Sequence, residues 1–319
     1  MGFYDATMTY FNQMLEYRKS IGFATVTYEY SIPPFIEYSA ANHPDAPCIT
    51  KYMVDEWLEY HDFHTNNTQA VFIAMLRRFT GFINAQGGAA YIPDEDYSLK
   101  REQYHPYIFN DAELTALFNA IDGYQPYYGY RRKFKADIIL PVLFRMMYCC
   151  GMRPAEPLHL RREDVDLSSG DIYIRRTKHN KERHIIMSDD MVSLCRAYHS
   201  LIGEHDWFFP HPDGGPLQTN WMTYQFHVCW NLSGLKKRGN PRPYDLRHAF
   251  ATHTMMRWID DSKDVMALLP YLSSYLGHAE ISSTFYYIHL LPDRIRKSSG
   301  IDWGMFSTIY QEGSNHEEN

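Results

Sequence analysis

Leu276-Gly-His-Ala-Glu-Ile-Ser-Ser-Thr-Phe-Tyr-Tyr287 ends an apolar run with a glycine, follows it at once with His278, and carries a tyrosine pair just beyond. A glycine after a periodic apolar stretch marks a helix end, because it enters the left-handed backbone region without a Cβ penalty. The pattern predicts helices over 261–276 and 281–290, with His278 in the break between them. By itself the Tyr286-Tyr287 pair, in a chain with 26 tyrosines, reads as packing. The neighbouring clusters decide whether it is more.

Upstream, Tyr244-Asp-Leu-Arg-His-Ala-Phe250 opens a helix expected over 244–258 and places Arg247 in its first turns. Further back, Ile138, Ile139, Val142, Leu143 and Met146 form a helical stripe within 133–150 that stops at Gly151. Arg153 and Pro154 follow that glycine, which puts the arginine at a loop-to-helix corner. Glu156, three residues on, is placed to hold its guanidinium. Residues 171–176 and 183–187 alternate as strands around a His179-Asn180-Lys181 turn, giving a hairpin with Lys178 beside the turn and Lys181 as its competitor. Helices are expected over 189–202 and 219–232.

These residue types suit one chemistry. A phosphodiester gains negative charge at its transition state, and planar guanidiniums that bind two oxygens are natural stabilisers. Arg153 and Arg247 are the candidates. A hairpin lysine can protonate a leaving oxygen, and a histidine can donate to a phosphate oxygen or to the nucleophile. A tyrosine hydroxyl attacking phosphorus forms a covalent ester that conserves the energy of the broken bond, so rejoining needs no ATP. Tyr287 is the candidate and Tyr286 its rival. No metal site is expected: His61 and His64 lack a second ligand cluster at zinc spacing, and no cofactor motif occurs.

Gly151, Arg153, Glu156, Lys178, Arg247, Gly277, His278 and Tyr287, taken in order, resemble the tyrosine recombinase (phage integrase) family, and residues 246–252 match its arginine helix closely. The resemblance spans about 110–290. It implies Lys178 over Lys181 and Tyr287 over Tyr286. It also implies a C-shaped clamp on double-stranded DNA, a synapse of four protomers, and strand exchange through a 3′-phosphotyrosine and a Holliday junction. Tyr244 departs from the pattern, standing where the family most often has His and sometimes Lys. A phenol is a poor proton acceptor at neutral pH, so Tyr244 is expected to position the phosphate. The run before Gly277 looks like that of mobile-element and transposon-encoded members, which points to integration, excision or transposition.

The fold class expected is mainly α with a small β-hairpin or sheet. A helical core-binding domain over 1–90 is built on helices at 5–20, 26–41 with its start blurred by Pro33-Pro34, 50–61 and 67–84. A linker over 91–109, a catalytic domain over 110–290 and a tail over 291–319 follow. The tail holds Trp303, Met305, Phe306, Ile309 and Tyr310 and is expected to dock on a neighbouring protomer. Asn110-Asp-Ala-Glu113 announces the first catalytic-domain helix.

The net charge of −7 argues against strong non-specific DNA binding, since such affinity comes from basic residues displacing counterions. Residues 1–110 hold 7 basic and 13 acidic side chains, whereas 131–183 hold 13 and 7, which allows a local basic face. Dependence on other recombinases or accessory proteins is therefore expected. Five cysteines without a C-x-x-C pair exclude a disulfide framework and a zinc finger. No membrane-length apolar run or signal pattern occurs, so a cytoplasmic location is expected. Two alternatives stay open from sequence: a catalytically impaired accessory DNA-binding protein, for which Tyr244 speaks, and a type IB topoisomerase-like enzyme using the same chemistry.

Overall fold

The computed structural model describes residues 2–94, 97, 104–126, 129, 133–175 and 182–289. The chain divides into two compact units, residues 1–104 and 105–319.

The first unit contains helices α1 (Phe3–Ser20), α2 (Val26–Ser31), α3 (Pro33–Asn42), α4 (Lys51–Tyr60) and α5 (Asn66–Ala85). One helix was expected across 26–41, but Pro33 takes the first helical position of a new one, where its missing N–H costs nothing. Thr50 and Thr65 each accept a backbone N–H three residues on, starting α4 and α5. The aromatic stripe of α5 is core: Phe79 meets Phe11 edge to face at 5.6 Å, and Phe72 meets Phe35 at 6.0 Å.

The second unit begins with α6 (Asp111–Asp122), whose start is a reciprocal box. The Asn110 side chain accepts from Glu113 N, and the Glu113 carboxylate accepts from Asn110 N. Helix α7 (Ala136–Cys149) is apolar on nearly every side, with Ile139, Leu140, Leu143, Phe144, Met146 and Met147 wholly buried. A helix buried all round is the hub of a larger core. It packs against α6, α9 (Asp189–Ile202) and α11 (Pro243–Asp260). Between α7 and α9 lie the one-turn helix α8 (Ala155–Leu158) and an antiparallel sheet of β1 (Val165–Asp166), β2 (Asp171–Ile174) and β3 (Arg183–Ile186). Strand β1 adds to the hairpin read from sequence. The hairpin turn itself, with Lys178 and Lys181, lies outside the described residues, as does the tail from 290.

Helix α10 (Thr219–Leu232) packs on α6 and α11. Helices α12 (Val265–Leu276) and α13 (Ser282–His289) build a second apolar cluster with α11, centred on Ala251, Met255, Leu269, Leu276, Phe285 and Ile288. The helix expected from 261 starts at 265. Ser262 has φ +57°, and the Asp264 side chain caps the new helix by accepting from Ala267 N.

Candidate active site

Helix α12 ends as its glycine foretold. Gly277 has φ +67° and ψ +44°, and the amides of Gly277 and His278 fold back onto Ser274 O and Ser273 O. A Cβ on Gly277 would lie 3.0 Å from Arg183 Cδ and 3.1 Å from its Nη1, so the position needs glycine for space as well as backbone conformation. The reason for the crowding is the main feature of the site. Three consecutive carbonyls of this terminus each receive a different arginine: Tyr275 O from Arg183 Nε at 2.8 Å, Leu276 O from Arg247 Nη2 at 2.7 Å, and Gly277 O from Arg153 Nη2 at 2.7 Å. A helix C-terminus carries partial negative charge on orphan carbonyls, which makes it a seat for cations.

Glu156 ties two of the three together. Its carboxylate accepts from Arg153 N and Nη1 and, in fork geometry, from Arg183 Nη1 and Nη2, both at 2.8 Å. Its side chain is 7% exposed and that of Arg183 8%. Burial works against the charge, but the Arg183 hydrogen bonds and the Arg183 and Arg247 charges hold the carboxyl below the usual carboxylate range. The expected Arg153–Glu156 pairing is present, and Arg183 is a partner that sequence reasoning did not single out. The signal was available: the alternation of β3 puts Arg183 on the inward face with Ile185, an unusual place for an arginine.

Arg247 is fully buried on α11. Besides Leu276 O it donates to Gly151 O at 2.8 Å and contacts His278 Nε2 at 3.1 Å, while its Nε has no partner. Gly151, at φ +59°, brings that carbonyl close, since a Cβ there would strike the Phe250 ring at 2.5 Å. A guanidinium only donates, so His278 Nε2 accepts, Nδ1 carries the proton, and Nδ1 donates to Thr284 Oγ1 at 2.7 Å. Thr284, on α13, is a second residue that sequence reasoning missed.

Tyr287, on α13, is 2% exposed, its ring 6.0 Å from that of His278 and nearly parallel to it. His248 stands between Tyr287, at 5.4 Å, and Tyr244, at 4.6 Å edge to face. Tyr286 is partly buried against the apolar cluster. Four expected site residues, Arg153, Arg247, His278 and Tyr287, thus meet with Glu156 behind them and Tyr244 alongside. Lys178 lies outside the described residues. No group of three or more His, Cys, Asp or Glu side chains is placed to hold a metal among the described residues, and no helix among them is long and apolar enough to cross a membrane.

Burial pushes the Tyr287 phenol up to about 12, with Arg247 pulling the other way, so the hydroxyl is protonated at neutral pH. Burial and then the Arg247 charge push His278 down to about 3 and His248 down to about 4. Both imidazoles are neutral in the fold but protonate in the unfolded chain near pH ~6.5. The unfolded state therefore takes up protons first as pH falls, and stability is lost from about pH 6.5 downward until the folded values are reached. At pH 5 the loss is at most about 2 kcal/mol per histidine. Thermal melts at pH 7.5 and 5 should show this drop in the wild-type chain and a smaller one in His248→Gln and His278→Gln.

The phage integrase family profile matches residues 109–294. A Sinorhizobium fredii protein named integrase/recombinase y4rE is 29% identical over 291 residues, covering 86% of this chain and 88% of its own. Among solved structures, XerH site-specific recombinase in a post-cleavage complex with palindromic difH substrate superposes with a TM-score of 0.64 at 22% identity, covering 86% of this chain and 78% of its own. A lambda integrase tetramer on a Holliday junction gives 0.64 at 15% identity, covering 92% and 80%.

Proposed function

The chain belongs to the phage integrase family of tyrosine recombinases, and from that premise we propose how this site-specific DNA recombinase works: it cleaves and rejoins strands through a 3′-phosphotyrosine on Tyr287. The observation that carries this reading is a fully buried Arg247, with a spare Nε donor, in the same pocket as Tyr287 and His278. Arg247 and Arg153 hold the non-bridging oxygens of the scissile phosphate, and His278, which accepts from Arg247 Nη2, orients that guanidinium. Tyr287 Oη attacks phosphorus, the bond to the 5′-oxygen breaks, and Lys178 protonates that oxygen. Rejoining runs the same steps backwards, so no ATP is consumed. Glu156 and Arg183 position Arg153, and Tyr244 lines the phosphate side of the pocket.

The first unit serves as the core-binding domain that closes on double-stranded DNA, and four protomers assemble the synapse. The reaction moves a mobile element by integration, excision or transposition, with the segment beyond 290 docking on the next protomer. Its setting is the cytoplasm.

The test uses a duplex enriched from a random-sequence pool on the purified full chain. Nicked versions of it, incubated with protein in EDTA without ATP and then denatured, should yield a covalent protein–DNA adduct. A plasmid carrying two copies of the site should recombine. Relaxation without recombination would instead fit a topoisomerase, and bound DNA without any adduct would fit an accessory protein.

A further inference from the structure

The reaction leaves one proton without an owner. Tyr287 enters as a phenol, and its proton must go to an acceptor as the oxygen bonds to phosphorus. The position that most often supplies an imidazole or amine in the family is Tyr244 here. His278 has no lone pair to offer, because Arg247 Nη2 occupies Nε2 and the Nδ1 proton is directed at Thr284.

One imidazole remains beside Tyr287 among the described residues. His248 follows Arg247 on α11, is 7% exposed, and touches both tyrosines, with ring centroids 5.4 Å from Tyr287 and 4.6 Å from Tyr244. Its Nδ1 is buried without a hydrogen-bond partner among the described residues, which is costly for a polar atom and asks for an explanation. We propose that His248 is the general base of strand cleavage. As Tyr287 Oη forms its bond to phosphorus, the phenolic proton passes to Nδ1 of His248. The bond from phosphorus to the 5′-oxygen breaks and that oxygen takes its proton from Lys178. On rejoining, His248 returns its proton to the departing phenol.

The free protein keeps this base weak through burial and the adjacent Arg247 charge. A phosphodiester seated on Arg153 and Arg247 offsets the second cause, so His248 gains basicity when DNA is in place. A base armed by its substrate protects a buried nucleophile from premature ionisation.

This inference rests on the proposed function, and one experiment separates the two. Single-turnover adduct formation is measured from pH 5.5 to 9 on the enriched nicked duplex, with wild type, His248→Asn and Lys178→Ala. It is repeated on a duplex whose scissile 5′-oxygen is replaced by sulfur, which leaves without an acid. His248→Asn keeps a polar group near Nδ1 but cannot take a proton. It should slow cleavage about 100-fold at pH 7 on both substrates, with DNA binding and melting temperature near wild type. Its rate should climb about tenfold per pH unit as Tyr287 itself ionises, whereas the wild-type rate levels off. Lys178→Ala should be rescued by sulfur alone. A wild-type-like pH profile in His248→Asn, or its rescue by sulfur, overturns the assignment to His248 while leaving the recombinase intact. If the wild-type chain forms no adduct, the proposed function falls and this inference falls with it.

Discussion

Tyr287→Phe should abolish covalent trapping of DNA, by about 10⁴-fold or more, while Tyr286→Phe should stay within about threefold of wild type. The exchange removes one oxygen and keeps the ring, and the ring is what the fold uses. Tyr287 is packed with Phe285, Ile288, Leu269 and Met255 in the α11–α12–α13 cluster, so phenylalanine fits and the melting temperature should hold. Loss of the adduct at constant stability and DNA affinity, read on a denaturing gel with labelled DNA, would assign the nucleophile. Retention of the adduct in Tyr287→Phe with loss in Tyr286→Phe would move the nucleophile by one residue and require a different orientation of α13.

Glu156→Gln should cost both stability and cleavage. The carboxylate accepts four hydrogen bonds from Arg153 and Arg183 in a nearly closed setting. Neutralising it leaves buried guanidinium charge uncompensated, and breaking a buried pair from one side typically costs about 3–5 kcal/mol. Cleavage should fall about 100-fold, because Arg153 loses the anchor that aims it. Replacing both members, Glu156→Met with Arg183→Met, should recover much of the stability, since a buried pair exchanged for apolar side chains is often neutral. It should not recover cleavage. Urea denaturation followed by circular dichroism reads the first quantity, and single-turnover adduct formation the second. A double variant that cleaved like wild type would show that Arg153 needs no positioning.

Much of the fold was legible because it depends on local rules. The stripe of α7, the Asn110–Glu113 box and the glycines at 151 and 277 each state a start, face or stop within a few residues. The kink at Ile32–Pro33 and the late start of α12 were less visible, since periodicity runs across a break that only proline geometry or a left-handed Ser262 imposes. Arg153, Arg247, His278 and Tyr287, on separate elements, could be nominated because phosphate chemistry suits their types and their order resembles that of tyrosine recombinases. Arg183, Thr284 and His248 escaped. Their importance comes from partners 27, 6 and 39 positions away along the chain, at Glu156, His278 and Tyr287. Burial escaped too: nothing local says that Arg247 and Tyr287 are both withdrawn from solvent.

The three carbonyls that end α12 have a further consequence for how the site comes and goes. Arg153, Arg183 and Arg247 come from different parts of the chain, yet each is fastened to the same helical turn, and the peptide leaving that turn leads directly into the helix carrying Tyr287. Fraying of that turn releases all three cations together and loosens Tyr287 with them. A half-built pocket, with a mobile tyrosine beside intact arginines, then has little population. In hydrogen exchange, the amides of Gly277, His278 and α13 should open as one cooperative unit. Opening as one unit would make the pocket two-state at this point, assembled or dismantled as a whole.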